Sequence, residues 1–256
     1  MSTAEAFVGW FRAWLHAALF GFACAAAALS PSSYTPQTRA LALRQIYFTA
    51  WQVLPGYLIF AAVLSLLVVH ITVSATFEFG LSAYAVELVM RAMVLELLPL
   101  LTALFVALRS GSAIGTEIAL MRVSGELDPA HAADAGPMQR EFVPRVLASG
   151  IAVASLTVLG CTAAVAVAYA AMYGFSPWGL EEYLQVIAHV FTLPALAGFL
   201  LKCTLFGFVV AVIPIAAGVN ATRDARSAPL AVMGAMVRLF FALGVIEIAA
   251  LAAAYA

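Results

Sequence analysis

Charged residues are scarce in this chain of 256 residues: only 10% are Asp, Glu, Lys or Arg, compared with about a quarter in a typical soluble domain. Hydrophobic residues make up 65% of the chain, and the mean hydropathy is +1.05. So little charge cannot cover a surface that faces water on all sides. The composition therefore predicts an integral membrane protein with several spans.

The sequence also lacks the motifs of common soluble enzymes. Lys202 is the only lysine and is followed by Cys203, so there is no GxxxxGK[ST] phosphate-binding loop and no ATP hydrolysis by that route. GxSxG and HExxH motifs are absent as well. Three scattered cysteines and four widely spaced histidines predict neither a disulfide framework nor a metal site. No basic run suggests nucleic acid binding, and an enzyme would need its chemistry inside the membrane.

Five segments hold the roughly 20 apolar residues that a helix needs to cross a bilayer. The second of them keeps its helical pattern to about Met121, so its last turns should project into the cytoplasm or lie buried in protein. We therefore predict an all-α integral membrane protein, with one membrane domain over residues 1–256. Its predicted transmembrane helices are 48–74, 86–121, 146–173, 186–217 and 230–255.

Residues 7–29 fit two interpretations. Large apolar side chains recur at helical spacing, with Arg12 and His16 off that face; they are Phe7, Trp10, Phe11, Trp14 and Leu15. This pattern is typical of a helix that lies in the membrane interface, which is our prediction. A sixth span is the alternative.

The distribution of arginine predicts the orientation of the chain, because cytoplasmic loops are enriched in Lys and Arg. Loops 75–85 and 174–185 contain neither residue. Seven arginines lie at the other ends of the spans: Arg39, Arg44, Arg122, Arg140, Arg145, Arg223 and Arg226. The N-terminus and the long middle loop are therefore expected in the cytoplasm, and the C-terminus on the opposite side.

Glu96 lies near the middle of the second span, where a charged side chain costs about 2.5–3.5 kcal/mol on insertion scales. No charged residue lies four positions before or after it. Its partner must come from another helix, where Lys202, Arg238 and Glu247 are the other charges at membrane depth, or else Glu96 lines a wet cavity. A structural ion pair and a polar lining for a substrate path both remain open.

Local spacing makes three further predictions for the second span. Glu87 and Arg91 stand four residues apart and should form an ion pair. Pro99 lacks a backbone N–H and favours a kink. Gly111 and Gly115 form a small-xxx-small pattern, which lets a neighbouring helix approach closely.

The loop that follows, 124–144, contains Pro and Gly and mixes acidic with basic side chains. It is too short for a domain but long enough for one short helix under the membrane. A membrane protein without its own motor often presents such an element to a cytoplasmic partner. A plain solvated connector is the alternative.

Five short pieces follow one another between residues 96 and 145: ELLP at 96–99, LRSGSA at 108–113, TEIALMR at 116–122, ELD at 126–128 and VPR at 143–145. In order and spacing they resemble the MlaE (YrbE-like) permeases, the membrane subunits of ABC transporters that work with MCE proteins. Residues 44–47 and Lys202 with Phe206 and Gly207 are also similar to that family.

The resemblance implies a permease subunit that moves phospholipid or a related lipid between the bacterial inner membrane and a periplasmic MCE protein. It implies five spans and an interfacial helix, in a homodimer or a permease heterodimer. ATP would be bound by a partner P-loop ATPase, so the chain itself would need no cofactor. A STAS-domain accessory subunit is an optional further partner.

The same resemblance implies two sets of site residues. A lipid cavity at the dimer interface, open to the periplasmic side, would be lined by Glu96, Leu97, Tyr84 and Lys202. A short coupling helix at about 124–133 would contact the ATPase. The coupling residues would be Glu117, Arg122, Glu126, Leu127 and Asp128.

The sequence departs from the family pattern in two places. Leu95 stands where the family often has Arg, and Leu98 replaces a Gly. In the loop, four residues differ from the common Ala, Leu, Met and Gly: Pro129, Ala130, Ala133 and Asp134.

Two other functions remain as alternatives. A self-sufficient secondary transporter or channel would use Glu96, Lys202 and Glu247 as a proton or ion path. An intramembrane lipid-modifying enzyme is disfavoured because no nucleophile–base arrangement is evident.

Overall fold

A computed structural model of the protein describes residues 3–30, 36–81, 84–127, 136–174, 176–222 and 228–255. Over these residues the fold is all-α, as the composition predicts. Six helical stretches are long and apolar enough to cross a membrane: Trp10–Leu29, Thr38–Glu78, Ala85–Ser124, Met138–Tyr173, Leu193–Val219 and Pro229–Ala254. Length and composition therefore make this a multi-pass membrane protein.

The helices are numbered in chain order. They are α1 (Thr3–Leu29), α2 (Pro36–Ile46, extended by a π-helical turn at Tyr47–Trp51), α3 (Leu54–Glu78), α4 (Ala85–Ser124), α5 (Met138–Tyr173), α6 (Leu180–Val190), α7 (Leu193–Val219) and α8 (Ala228–Tyr255). A 3₁₀ turn at Pro177–Gly179 precedes α6.

Proline accompanies two corrections to the predicted spans, a break in one and a local change of helix within the continuous stretch Thr38–Glu78 in the other. The predicted helix 186–217 is two helices, because α6 ends at Val190 and α7 begins at Leu193, with Pro194 in its first turn. The residue before α7, Thr192, has an extended backbone with ψ of 158°. The predicted span 48–74 likewise contains the start of α3, with Pro55 in the first turn. Proline is favoured there because the first N–H groups of a helix have no intrahelical acceptor.

Helix α4 runs for 40 residues, which is longer than a bilayer requires. Its last part, Ser112–Ser124, is buried in protein along the face that carries Ile114 and Ile118. It ends at Gly125, whose φ of 82° is the left-handed conformation that favours glycine at a helix C-terminus. Of the two alternatives for these last turns, burial against the bundle is the observed one.

The disturbance expected near Pro99 takes the form of a π-helical segment, Val89–Leu97. At its end the Leu98 N–H bonds to the Met93 carbonyl, five residues earlier. Proline supports this wider turn because its ring clashes with the carbonyl of the preceding turn. A second π-helical turn, Ala107–Gly111, follows on the same helix.

Helices α5 and α7 form the centre of the bundle. Helix α7 packs against α5, α8 and the end of α4, while α5 also packs against α2 and α3. Gly207 lies at a close approach of α5 and α7, since a Cβ there would lie 2.6 Å from the Gly150 Cα. The small-xxx-small prediction for α4 is confirmed: a Cβ on Gly111 would lie 3.3 Å from the Val210 carbonyl oxygen, and one on Gly115 would lie 3.1 Å from Pro214.

Helix α1 turns a face of small residues toward the bundle. Ala17 and Cys24 are buried, and a Cβ on Gly21 would lie 3.1 Å from Val212. Of the large side chains that suggested an amphipathic helix, Trp10, Phe11 and Leu15 are exposed, whereas Trp14 is half-buried against the main apolar cluster. Residues 7–29 are thus helical, and the helix is long enough to cross a membrane. Its placement in the interface stays a prediction.

Candidate functional site

Three charged side chains meet at membrane depth. Glu96 lies in the π-helical segment of α4, Lys202 on α7 and Glu247 on α8. The Lys202 ammonium donates a hydrogen bond to Glu96 and lies 3.4 Å from an oxygen of Glu247. Of the two alternatives for Glu96, the structure shows the partner on another helix. We call these three residues the intramembrane ion cluster.

The ion cluster is enclosed in protein rather than exposed to lipid. The side chain of Lys202 is 4% exposed, and those of Glu96 and Glu247 are 19% and 12% exposed. Ionised groups without water need charged partners, so each carboxylate depends on the single ammonium. One oxygen of Glu247, Oε2, is buried and has no hydrogen-bond partner among the described residues. The two carboxylates thus offer more hydrogen-bond acceptor oxygens than the Lys202 ammonium engages.

Arg238, the other charge expected at this depth, stands outside the ion cluster. It forms no ion pair with the described carboxylates, and its Nε is buried without an acceptor there. The predicted pair of Glu87 and Arg91 is confirmed, with Nε and Oε1 2.9 Å apart.

The structure separates the predicted lipid-cavity residues. Glu96 and Lys202 are in contact, whereas Tyr84 precedes the start of α4 and is 62% exposed. Tyr84 lies 12 residues before Glu96 in the chain, outside the π-helical segment that carries Glu96. Leu97 is half-buried beside Glu96 in the chain. A cavity wall that joins all four residues stays a prediction.

A second cluster of charges lies at the arginine-rich end of the bundle. Arg145, on α5, is 7% exposed; its Nη2 lies 2.9 Å from Glu117 Oε1, and its Nη1 donates to the Glu141 carbonyl oxygen at 2.8 Å and to the Glu141 carboxylate. Glu117 belongs to α4. Arg145 therefore fixes the end of α4 to the start of α5.

The predicted coupling residues have different environments. Glu117 is engaged with Arg145, and Arg122 is half-buried in the last turn of α4. Glu126 is exposed just after the helix and accepts a hydrogen bond from the Ser124 hydroxyl at 3.0 Å, while Leu127 packs on the cluster around Ile118 and Phe142. Residues 124–127 end α4 rather than begin a new helix, since Gly125 terminates it. Asp128 and the rest of the predicted coupling helix, 128–133, lie outside the described residues.

Sequence reasoning did not identify Arg145 as a site residue. The spacing of Glu141 and Arg145, four residues apart, was a readable signal for an ion pair. The contact of Arg145 with Glu117 could not be predicted from the sequence, because it joins two different helices whose relative position depends on the loop between them.

Comparison with known proteins identifies the family of this chain. The model of the family described as Permease MlaE matches residues 42–253, which is most of the chain. The chain belongs to the MlaE permease family.

Relatives of this MlaE-family permease carry transport names. A "Probable ABC transporter permease protein" of Rickettsia felis is 25% identical over 219 residues, covering 86% of this chain and 83% of the relative. A protein of the same description from Synechocystis is 32% identical over 51% of this chain and 50% of its own. Protein TRIGALACTOSYLDIACYLGLYCEROL 1, chloroplastic, of Arabidopsis thaliana is 31% identical over 57% of this chain and 43% of its own. The protein is thus a membrane permease, a transport subunit.

The two departures near Glu96 both contribute to the core of this MlaE-family permease. Leu95 is 9% exposed and Leu98 is 1% exposed, in the main apolar cluster. The ion cluster is consequently bordered on α4 by apolar side chains. Among the described side chains that contact Glu96 and Glu247, Lys202 alone carries a positive charge.

Proposed function

We propose that this permease is the membrane subunit of an ABC transporter that moves phospholipid or a related lipid between the bacterial inner membrane and a periplasmic MCE protein. The family match over residues 42–253 carries this proposal. The names of the relatives support the ABC transporter part, and hence a partner P-loop ATPase that binds ATP. A homodimer or permease heterodimer, with or without a STAS-domain subunit, belongs to the same proposal, as does a cytoplasmic N-terminus with a periplasmic C-terminus.

The geometry supports a mechanical link between the two ends of α4. Its arginine-rich end carries Glu117 and, just beyond, Glu126, while its middle carries Glu96. Between them, Gly111 and Gly115 let α4 lie directly against α7, which carries Lys202. A displacement of α4 relative to α7 would therefore change the contact between Glu96 and Lys202. The two π-helical segments of α4 are natural places for such a shift, since π-turns are frequent at functional sites.

The intramembrane ion cluster supports a polar contact with cargo. A lipid headgroup is the part of such a cargo that would need polar partners at membrane depth, and Glu96, which is 19% exposed, is the most accessible side chain of the ion cluster. Leu97, next to Glu96, would then touch the apolar part of the lipid.

The coupling role of Glu126 can be tested by charge reversal. Glu126→Lys should abolish co-purification of the ATPase, because an exposed carboxylate at the partner surface is replaced by the opposite charge. Glu78→Lys, an exposed glutamate at the other end of the bundle, is the matched control and should leave the complex intact. An unchanged complex with Glu126→Lys would remove this residue from the coupling surface.

The cargo contact can be tested by site-specific photo-cross-linking. A photoreactive side chain at Leu97 should capture phospholipid in membranes, and Glu96→Ala should change the yield because the neighbouring polar contact is lost. The same label at Val237 serves as a control. Val237 lies on α8, ten residues before Glu247, and is 54% exposed. Its cross-linking yield should not respond to Glu96→Ala. Unaltered cross-linking at Leu97 with intact transport would make Glu96 a structural residue.

One observation favours a second candidate, a self-sufficient secondary transporter or channel. Glu96, Lys202 and Glu247 are the residues that an ion path would use, and they lie together. Purified protein in sealed vesicles distinguishes the two functions. Transport by the chain alone, without ATP or partner, supports the second candidate, and strict dependence on the ATPase supports the first.

A further inference from the structure

A cavity of about 300 Å³ opens at the arginine-rich end of the bundle, between α2, the end of α4 and the start of α5. Its lining includes Arg44 and Phe48 on α2, Glu117 on α4, and Arg140 and Arg145 on α5. It lies at the opposite end of α4 from Tyr84 and is separate from the intramembrane ion cluster. We call it the arginine pocket.

The arginine pocket has more positive than negative charge available to a ligand. Its two carboxylates, Glu117 and Glu141, are both engaged by Arg145. Arg44 and Arg140 are exposed and form no ion pair within the described parts of the chain. The Nε of Arg145 is buried and has no acceptor there, although its other nitrogens are bonded. Guanidinium groups with free donors are suited to phosphate oxygens, which accept two parallel hydrogen bonds.

The side of α2 that lines the pocket mixes polar and apolar residues, and further apolar side chains outside the pocket follow on the same helix. Phe48 lines the pocket, and the Arg44 guanidinium lies 5.8 Å from the centre of its ring. Leu43, Tyr47 and Trp51 follow one another at four-residue spacing on this helix and are 67%, 55% and 66% exposed. This stripe leads into α3, which is part of a candidate span. A molecule bound in the pocket therefore has exposed apolar side chains of the same helix nearby, between the pocket and the helix of a candidate span.

We propose that the arginine pocket binds the phosphate headgroup of an anionic phospholipid from the leaflet on the arginine-rich side, with its acyl chains along Leu43, Tyr47 and Trp51. A volume of about 300 Å³ is at the small end of ligand pockets, which suits a headgroup rather than a whole lipid. A zwitterionic headgroup is disfavoured because both carboxylates that would pair with its ammonium are already bonded to Arg145. The proposal does not depend on which cargo the permease moves.

Native mass spectrometry of the full chain, purified from mixed vesicles of phosphatidylglycerol and phosphatidylcholine, tests the proposal. The double variant Arg44→Gln, Arg140→Gln should lower the retention of phosphatidylglycerol about tenfold, as expected for the loss of two charge-assisted contacts. Arg39→Gln is the matched control, since Arg39 is exposed on the same helix and does not line the pocket. It should retain the lipid as the unmodified protein does.

Three results would overturn the proposal. The first is equal retention of phosphatidylglycerol by the double variant. The second is binding of inorganic phosphate that the double variant abolishes while lipid retention is unchanged, which would make this a site for free phosphate. The third is loss of ATPase co-purification with lipid retention unchanged, which would place the arginines in a protein interface. If the double variant unfolds, Arg140→Gln alone gives the same readouts, because Arg140 is exposed.

Discussion

Replacing Lys202 by methionine should lower the free energy of unfolding by about 3–5 kcal/mol, because the substitution leaves two buried carboxylates without their common partner. Lys202 is the only ammonium in contact with Glu96 and Glu247, and its side chain is 4% exposed. Methionine has a similar length and fills the same space, so the loss is mainly electrostatic. Thermal unfolding of the purified protein in detergent, followed by circular dichroism or tryptophan fluorescence, measures the effect.

Two comparisons isolate the charge effect. Arg91→Met breaks the pair with Glu87, whose side chains are 41% and 31% exposed, and should cost no more than about 1 kcal/mol. Adding Glu96→Gln and Glu247→Gln to Lys202→Met removes the uncompensated charges and should recover much of the stability. A Lys202→Met protein as stable as the original would contradict an electrostatic role for the ion cluster.

Replacing Gly207 by alanine should be the most damaging change of a single hydrogen atom to a methyl group in the described helices. The new Cβ would lie 2.6 Å from the Gly150 Cα and 3.1 Å from the Ser149 carbonyl oxygen, and a backbone cannot move aside as a side chain can. Overpacking of this kind costs about 1–3 kcal/mol or more, since α5 and α7 must separate. The yield of folded protein in detergent and its unfolding temperature measure the effect.

The same helices supply matched controls. Gly198→Ala lies on α7 and Gly150→Ala on α5, and a Cβ at either position meets nothing within 4 Å. Both should be neutral or stabilising by up to about 1 kcal/mol, because alanine is the better helix former. The contrast between Gly207 and Gly150 is informative, since the two glycines touch but only one has its Cβ direction blocked. Similar effects for Gly207→Ala and Gly198→Ala would show that the α5–α7 crossing tolerates separation.

The two clusters assign different parts of α4 to different roles. Near its middle, Glu96 shares an ammonium with Glu247, and at its end Glu117 is held by Arg145. The close approach of Gly111 and Gly115 to α7 lies between them. The two ends of α4 are thus connected by tightly packed helices rather than by loops, which is the arrangement that the proposed coupling would need.

Local signals in the sequence were sufficient for several features. The four-residue spacing of Glu87 and Arg91, the small-residue pattern at Gly111 and Gly115, and the continuation of α4 beyond the bilayer length are all present in the structure. Pro194 is also a local signal for the break before α7, but the segments on both sides of it are similarly apolar, so hydropathy predicted one continuous span. In each case the signal itself lies within a few turns of one helix, so spacing, hydropathy and proline chemistry carry the information.

The sequence by itself determined that the chain is an all-α membrane protein, because apolar runs of bilayer length and scarce charge leave no other way to satisfy the backbone. It also determined that Glu96 needed either a partner on another helix or a wet cavity. Only the tertiary structure decided which partner: α7 and α8 bring Lys202 and Glu247 to Glu96, and Arg238 is left aside. The same holds for Arg145 and Glu117. Helix packing sets these distances, and packing depends on the shapes of whole helix faces rather than on any local pattern.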